Sequence, residues 1–304
     1  MFRLPLTDPD RDYAPIADFA EPARARAELW RLAAGAVLAV AVYLGTVSMV
    51  VGLVLGGLDP ISAGVVLENF ASGRTEAGMT ALLLSFLPMA LGIFAAARLL
   101  HGRGPWSLFG PKARVQRDFL RVALPLVALG VVLLPLSAAS GDVGRHMGFL
   151  DQVIWYPLAL PALLIQTGAE EVAFRGYLMQ QLAARFRARV VWMVLPALVF
   201  GWLHLDAGTF GPNALAVALW ALVFGLLAAD LTARTGSLGA AIGFHFGTNF
   251  SALFLTGLYG NLDGLALFNL VVDPSDTGAL LPYLAADLVF ILVAWLLARV
   301  MLRV

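Results

Sequence analysis

Long apolar runs alternate with short polar connections along most of this chain. The runs cover residues 30–55, 79–100, 119–139, 153–181, 190–204, 213–232, 238–258 and 279–302. Each approaches the roughly 20 residues that a helix needs to cross the hydrocarbon core of a bilayer. A segment surrounded by lipid satisfies its own backbone polar groups only as a helix. The pattern therefore predicts an all-α, polytopic membrane protein, a bundle of about eight transmembrane helices over residues 30–304. The fifth run is short and interrupted by Pro196. The fourth is long and carries Pro157 and Pro161 near its start, where a kink is expected. No internal repeat of the kind that builds transporters from two halves is visible.

Residues 1–29 break the pattern. They are polar and punctuated, with Asp8, Asp10, Asp12, Asp18 and Glu21 among Pro9, Pro15 and Pro22. No apolar stretch follows Met1, so a signal peptide is not expected. The segment reads as a cytoplasmic arm with an interfacial helix from about Pro22, the alternative being a partly disordered tail.

Composition supports the membrane reading. The chain is 60% hydrophobic and 13% charged, against about 25% charged in a soluble domain. Its net charge is zero and it has no basic stripe, so nothing points to nucleic acid. The absence of cysteine excludes disulfides, thiol catalysis and thiolate metal sites. Lys112 is the single lysine among many arginines, a bias that suggests a GC-rich bacterial genome and hence a bacterial cytoplasmic membrane. Arginine placement orients the bundle: Arg3, Arg11, Arg24, Arg26 and Arg31 precede or open the first run, and Arg98 to Arg121 surround the second connection. Arg185, Arg187 and Arg189, then Arg234, then Arg299 and Arg303 continue the alternation. The positive-inside rule then makes both termini cytoplasmic.

Against this apolar background a few polar residues stand out. The fourth run ends Gly168-Ala169-Glu170-Glu171-Val172-Ala173-Phe174-Arg175-Gly176. A charge at the centre of a membrane helix costs about 2.5–3.5 kcal/mol on insertion scales, so such groups face partners or a wet cavity. Glu171 and Arg175 are spaced i, i+4 with the acid first, the favoured order for an ion pair. Glu170 lies about 100° further round the helix and is left as the free acid. The fifth run ends Phe200-Gly-Trp-Leu-His204, and the seventh holds His245-Phe-Gly-Thr-Asn249, again an i, i+4 pair. A carboxylate and two imidazoles meeting in a low dielectric can polarise a water for attack on an amide. Glu170 would accept the proton, and a histidine or the Asn249 amide would donate to the oxyanion.

Each residue also has a plainer reading. Glu171–Arg175 can be a structural pair and Phe200 packing. His204 can be a solvated histidine at a helix end, and His245 with Asn249 an interhelical hydrogen-bonding pair. His101 and His146 fall in connections with no assigned role. Asp230–Arg234 reads as a boundary ion pair, and Asp287 as an unexplained carboxylate near the start of the last run. Counted from its cytoplasmic end, a straight seventh helix would place His245 several residues shallower than Glu170 and His204.

Together the motifs Glu170-Glu171-x-x-x-Arg175, Phe200-x-x-x-His204 and His245-x-x-x-Asn249 resemble the signature of the CPBP family, the type II CAAX prenyl endopeptidases and their bacterial homologues. The resemblance covers about residues 153–251. It implies an intramembrane endopeptidase with its site inside the bundle. Glu170 would activate the water, with His204 participating. His245 and Asn249 would hold the oxyanion, and Glu171, Arg175 and Phe200 would support the site. The substrate implied is a membrane-associated peptide or protein meeting the enzyme in the lipid bilayer. A metal-free mechanism needing no cofactor is preferred. The alternative is a divalent metal such as zinc held by Glu170, His204 and His245, the three ligands that a catalytic zinc site keeps, although no His-Glu-x-x-His motif is present. Two other functions remain open at this point: a catalytically idle membrane scaffold or immunity protein of the same family, and a proton-coupled transporter. Oligomeric state leaves no mark on the sequence.

Overall fold

The structure is a computed structural model that describes residues 12–304. The acids Asp8 and Asp10 and the arginines Arg3 and Arg11 of the arm lie outside the described residues.

Among the described residues ten helices carry the fold. α1 is Pro15–Ala20, followed by a 3-10 segment, Glu21–Arg26. α2 is Leu29–Leu55 and α3 Pro60–Ser72. Then come α4 Glu76–Leu99, α5 Lys112–Ala138, α6 Phe149–Arg185, α7 Val190–Leu203, α8 Ala207–Thr235, α9 Leu238–Leu255 and α10 Thr277–Leu302. The all-α membrane class stands, with a correction to the count. Among the described residues, 7 helices are long and apolar enough to cross a membrane: α2, α4, α5, α6, α8, α9 and α10. The expected fifth span is the shorter helix α7, which His204 ends with φ −95° and ψ 4°. Polar chain resumes at once, where Asp206 caps α8 by accepting from the Gly208 and Thr209 amides.

Two elements fall in expected connections. Asp59 caps α3 with Pro60 in its first turn, a capping pair legible in the sequence. Short strands β1 Val143–Arg145, β2 Thr256–Leu258 and β3 Phe268–Leu270 form a sheet in the order β1-β3-β2, with β1 antiparallel and β2 parallel to β3. Gln152 ties α6 to this side, donating to the Phe254 and Leu265 carbonyls at 2.6 Å each.

Over its described residues the arm is helical, as Pro15–Ala20 and then the 3-10 segment Glu21–Arg26, so helix begins ahead of the expected Pro22. Phe19, Ala20 and Ala23 are buried. Tyr13 donates to Asp230 at 2.5 Å, and Arg234 bonds Asp230 at 2.9 Å and Asp12 at 3.2 Å. Asp230 also accepts from Trp295 Nε1 at 2.9 Å, so the expected boundary pair is a junction of arm, α8 and α10. Burial and the Asp230 hydrogen bond push the Tyr13 phenol up to about 12. His101 falls in the turn after α4, as expected, but it is buried there, with Nδ1 2.9 Å from the Arg26 carbonyl and Nε2 2.8 Å from Tyr177 Oη.

The packing of α9 sets the position of the site. Gly239, Gly243 and Gly247 recur every four residues and form one face against α5. A Cβ on Gly239 would lie 2.1 Å from the Val115 carbonyl oxygen, and one on Gly243 2.7 Å from that of Phe119. Small residues let membrane helices approach this closely, where dispersion and not hydrophobicity must hold them. The start of α9 is also sunk into the protein. Ser237 and Leu238 are buried, the Leu238 amide donates to the Phe109 carbonyl at 3.0 Å, and Gly236 (φ +61°) sits against Pro15. The arm and the α4–α5 connection cover its first turn. His245 lies 3.7 Å from Glu170, so the offset expected of a straight seventh helix does not keep the two apart.

Candidate active site

A π-helical stretch, Val172–Met179, follows the two glutamates in α6. Such insertions within α-helices recur at functional sites. The Glu171–Arg175 pair forms nonetheless, Nη1 to Oε1 at 2.9 Å, with both side chains almost wholly buried. Arg175 Nη2 donates to the Gly225 carbonyl of α8 at 3.0 Å. Its guanidinium lies over the Phe200 ring at 5.0 Å. His245 Nδ1 donates to the same Glu171 oxygen at 2.9 Å. Glu171 is thus held between a cation and an imidazole, and its partners leave it no access to a substrate.

Glu170 differs in every respect. Its side chain is 12% exposed, and Oε2 lies 3.7 Å from His245 Nε2. That gap is longer than a hydrogen bond and short enough for one water oxygen to contact both atoms. Glu170 opens into a cavity of about 310 Å³ that also receives Gln166, His204, His245 and Asn249. Every catalytic residue expected from the sequence therefore lines one cavity. His204 Nδ1 donates to the Phe200 carbonyl at 2.8 Å, capping its own helix and leaving Nε2 for the cavity. Asn249 Nδ2 donates to Gln166 Oε1 at 3.2 Å, which spares one amide hydrogen and the carbonyl oxygen.

Sequence reasoning missed several members of this site. Gln166 is one turn before Glu170 on the same helix face, so its i, i+4 spacing was a usable signal. Trp220 and Phe224 from α8, Met79, Leu82 and Phe86 from α4, and Leu262 from the β2–β3 connection also line the cavity. These residues are apolar among apolar neighbours, and nothing in their local sequence distinguishes them. Phe200 does more than fill space. It meets Phe174 edge-on at 5.0 Å, carries the Arg175 cation and lies 4.5 Å from the His204 ring. Phe224 stacks on Phe244 at 4.9 Å and presents its edge to His245 at 4.9 Å. Both histidine rings are thus fixed by aromatic packing and by a bond at Nδ1.

Among the described residues no group of three His, Asp or Glu side chains is placed to hold a metal ion. The proposed ligand set of Glu170, His204 and His245 shares a cavity without forming such a cluster.

The uncharacterised protein YyaK of Bacillus subtilis (strain 168) is 25% identical over 182 residues, 57% of this chain. The alignment spans 61% of that relative's own length. No solved structure matches the chain. Residues 152–251 match the family described as type II CAAX prenyl endopeptidase Rce1-like. That interval contains Glu170, Glu171, Arg175, Phe200, His204, His245 and Asn249. The matched third of the chain is thus similar to the Rce1-like domain of the type II CAAX prenyl endopeptidases, the family that the three motifs resemble.

Proposed function

We propose that this protein is an intramembrane endopeptidase that hydrolyses a peptide bond of a membrane-associated peptide or protein with a Glu170-activated water. One observation carries the reading: Glu170 is the carboxylate left open to the cavity, facing His245 Nε2 at 3.7 Å, while its neighbour Glu171 is neutralised by Arg175. A water held between Glu170 and His245 gives its proton to the Glu170 carboxylate as its oxygen attacks the amide carbon. When the C–N bond breaks, Glu170 returns that proton to the leaving nitrogen. The oxyanion forms beside the spare Asn249 amide hydrogen. His245 donates from Nδ1 to Glu171, so Nε2 donates to the oxyanion only as imidazolium, and Glu171 at 2.9 Å compensates that charge. The apolar wall of Met79, Leu82, Phe86 and Leu262 suits an aliphatic flank on the substrate. The same reading assigns the protein to a bacterial cytoplasmic membrane with both termini on the cytoplasmic side, a topology that the arginine distribution favours and that needs the shorter helix α7 to complete an even number of crossings.

The test is hydrolysis of a quenched fluorescent, lipid-anchored peptide library by the purified protein in nanodiscs, with and without a chelator. Cleavage that survives the chelator and is lost in Glu170→Gln supports the reading. Loss with chelator and rescue by zinc replaces it with a metalloenzyme. Wild-type binding of the peptides without hydrolysis supports an idle scaffold instead.

A further inference from the structure

We infer that the cavity of Glu170 is entered from the end of the bundle that carries the sheet, so that the segment cleaved lies across the membrane from the arm. With both termini cytoplasmic, that segment is a translocated part of a membrane-anchored peptide or protein, not a cytoplasmic tail. The substrate half of this inference rests on the endopeptidase reading; the direction of entry does not.

Named contacts fix the two ends. At the sheet end Gln152, in the first turn of α6, donates to the Phe254 and Leu265 carbonyls. The Leu262 and Gly264 amides donate to the Ser72 and Gly73 carbonyls just before α4, and Asn213, early in α8, donates to the Pro274 carbonyl. At the arm end Gln180, late in α6, donates to the Phe19 carbonyl at 2.7 Å. Trp192, at the start of α7, meets Tyr13 edge-on at 6.3 Å, and Asp230, late in α8, accepts from Tyr13. Helices α6 and α8 therefore run from sheet to arm, and α7 and α9 run back.

The cavity extends from Glu170 toward the sheet. Gln166 lies one turn from Glu170 in that direction, Asn249 and Leu253 follow His245 at four-residue steps, α7 ends at His204, and Leu262 arrives from the β2–β3 connection. His204, Asn249, Leu253 and Leu262 are half-buried, the partial exposure of a mouth. Leu203 and Leu205 stand exposed on either side of His204, an apolar lip that suits a chain arriving along a membrane surface. Toward the arm the protein is closed. Glu171 and Arg175 are almost wholly buried, and residues 237–245 are buried without a break. Behind them one apolar cluster runs from Val172, beside Glu171, through Met179, Leu182 and Ile242 to Phe19 of the arm. Such close-packed interior leaves no path for water or a peptide. Hydrolysis consumes one water for each bond broken, and a carboxylate with no cation beside it also needs a wet face. The sheet end is where both can be supplied.

The chain has no cysteine, so single thiols report without background. Leu253→Cys and Leu82→Cys each put a thiol on the cavity wall, from α9 and from α4, so that one serves if the other fails to fold. Gly141→Cys marks the sheet end and Ala17→Cys the arm end, both at exposed positions. Full-length protein is reconstituted in liposomes in one orientation and treated on one face at a time with a charged, membrane-impermeant methanethiosulfonate. The cavity thiols are expected to be modified from the face that modifies Gly141→Cys and to be untouched from the face that modifies Ala17→Cys. Modification from the Ala17 face overturns the inference. So does modification by a lipid-soluble maleimide alone, which would mean entry sideways from the bilayer. A cleavable lipid-anchored peptide should be hydrolysed only when it is supplied on the Gly141 face, and hydrolysis on the Ala17 face overturns the substrate half. If the peptide is cleaved on neither face, the thiols still decide the direction of entry, and the failure belongs to the endopeptidase reading.

Discussion

His245 donates from Nδ1 to Glu171 at 2.9 Å, and this bond divides the labour between two adjacent carboxylates. Consecutive residues on a helix point about 100° apart. One acid can therefore lie in the protein among its partners while the next opens onto a cavity. Glu171 forms with Arg175 a neutral unit that fixes the imidazole. Glu170 remains as the charge that can take up and release a proton. The tandem glutamates are one device, a base and the support of the histidine that faces it.

Glu170→Gln should abolish hydrolysis while leaving the fold intact. The substitution keeps the size of the side chain and removes only the base, a role that contributes about 10²- to 10⁴-fold to rate. Glu170 is bonded to nothing else among the described residues, so the melting temperature should stay close to wild type. Cleavage assays beside a thermal melt in the same detergent check both halves.

Glu171→Gln should do the reverse to stability. Arg175 is buried with this one carboxylate partner, and removing it strands a guanidinium away from water. Breaking such a pair costs about 3–5 kcal/mol. Changing both residues together, Glu171→Gln with Arg175→Met, should recover part of the loss, because no lone charge is left. Denaturation midpoints of the two variants measure the difference.

The spans and the three motifs were legible in the sequence because both are local: apolar length marks a membrane helix, and i, i+4 spacing marks a shared face. The meeting of His245 with Glu170 was not. The start of α9 is set by the arm and the connection around Phe109, contacts between residues more than a hundred positions apart. The shortness of α7 was half legible, since Pro196 was visible but the chain's turn at His204 was not. His101 was rightly read as part of a connection, but that it is buried there was not legible. Its burial comes from Arg26 and Tyr177, neither of which is near it in sequence. The wall residues Trp220, Phe224 and Leu262 come from two other elements and carry no local mark.

His101 should link the docking of the arm to pH. Burial holds its imidazole below the ordinary histidine range, with Arg103 and Arg31 acting the same way against the Arg26 carbonyl and Glu28. A group whose folded pKa is depressed leaves the unfolded chain binding more protons in the intervening window. Its contribution is thus present above the ordinary histidine pKa of about 6.5 and is lost as pH falls through the depressed value. Proteolysis within residues 12–26 should become faster on acidification below about pH 6.5. His101→Gln should weaken that dependence.

The α5–α9 contact offers a last test, because it joins the fold to the site. A Cβ on Gly243 would lie 2.7 Å from the Phe119 carbonyl oxygen and 3.1 Å from Val122 Cβ, so the two backbones must separate to admit it. Overpacking of this kind costs about 1–3 kcal/mol. Gly243 is two residues from His245, on the opposite side of α9 from the cavity. Displacing the helix should therefore lengthen the gap between Glu170 and His245 without touching either side chain. Gly243→Ala is expected to lower the melting temperature and to cut kcat more than it changes KM. Gly45, whose Cβ would meet nothing within 4 Å, is the control. Gly45→Ala should leave both quantities unchanged, and a similar loss in the two variants would show that α9 is not held against α5 in this way.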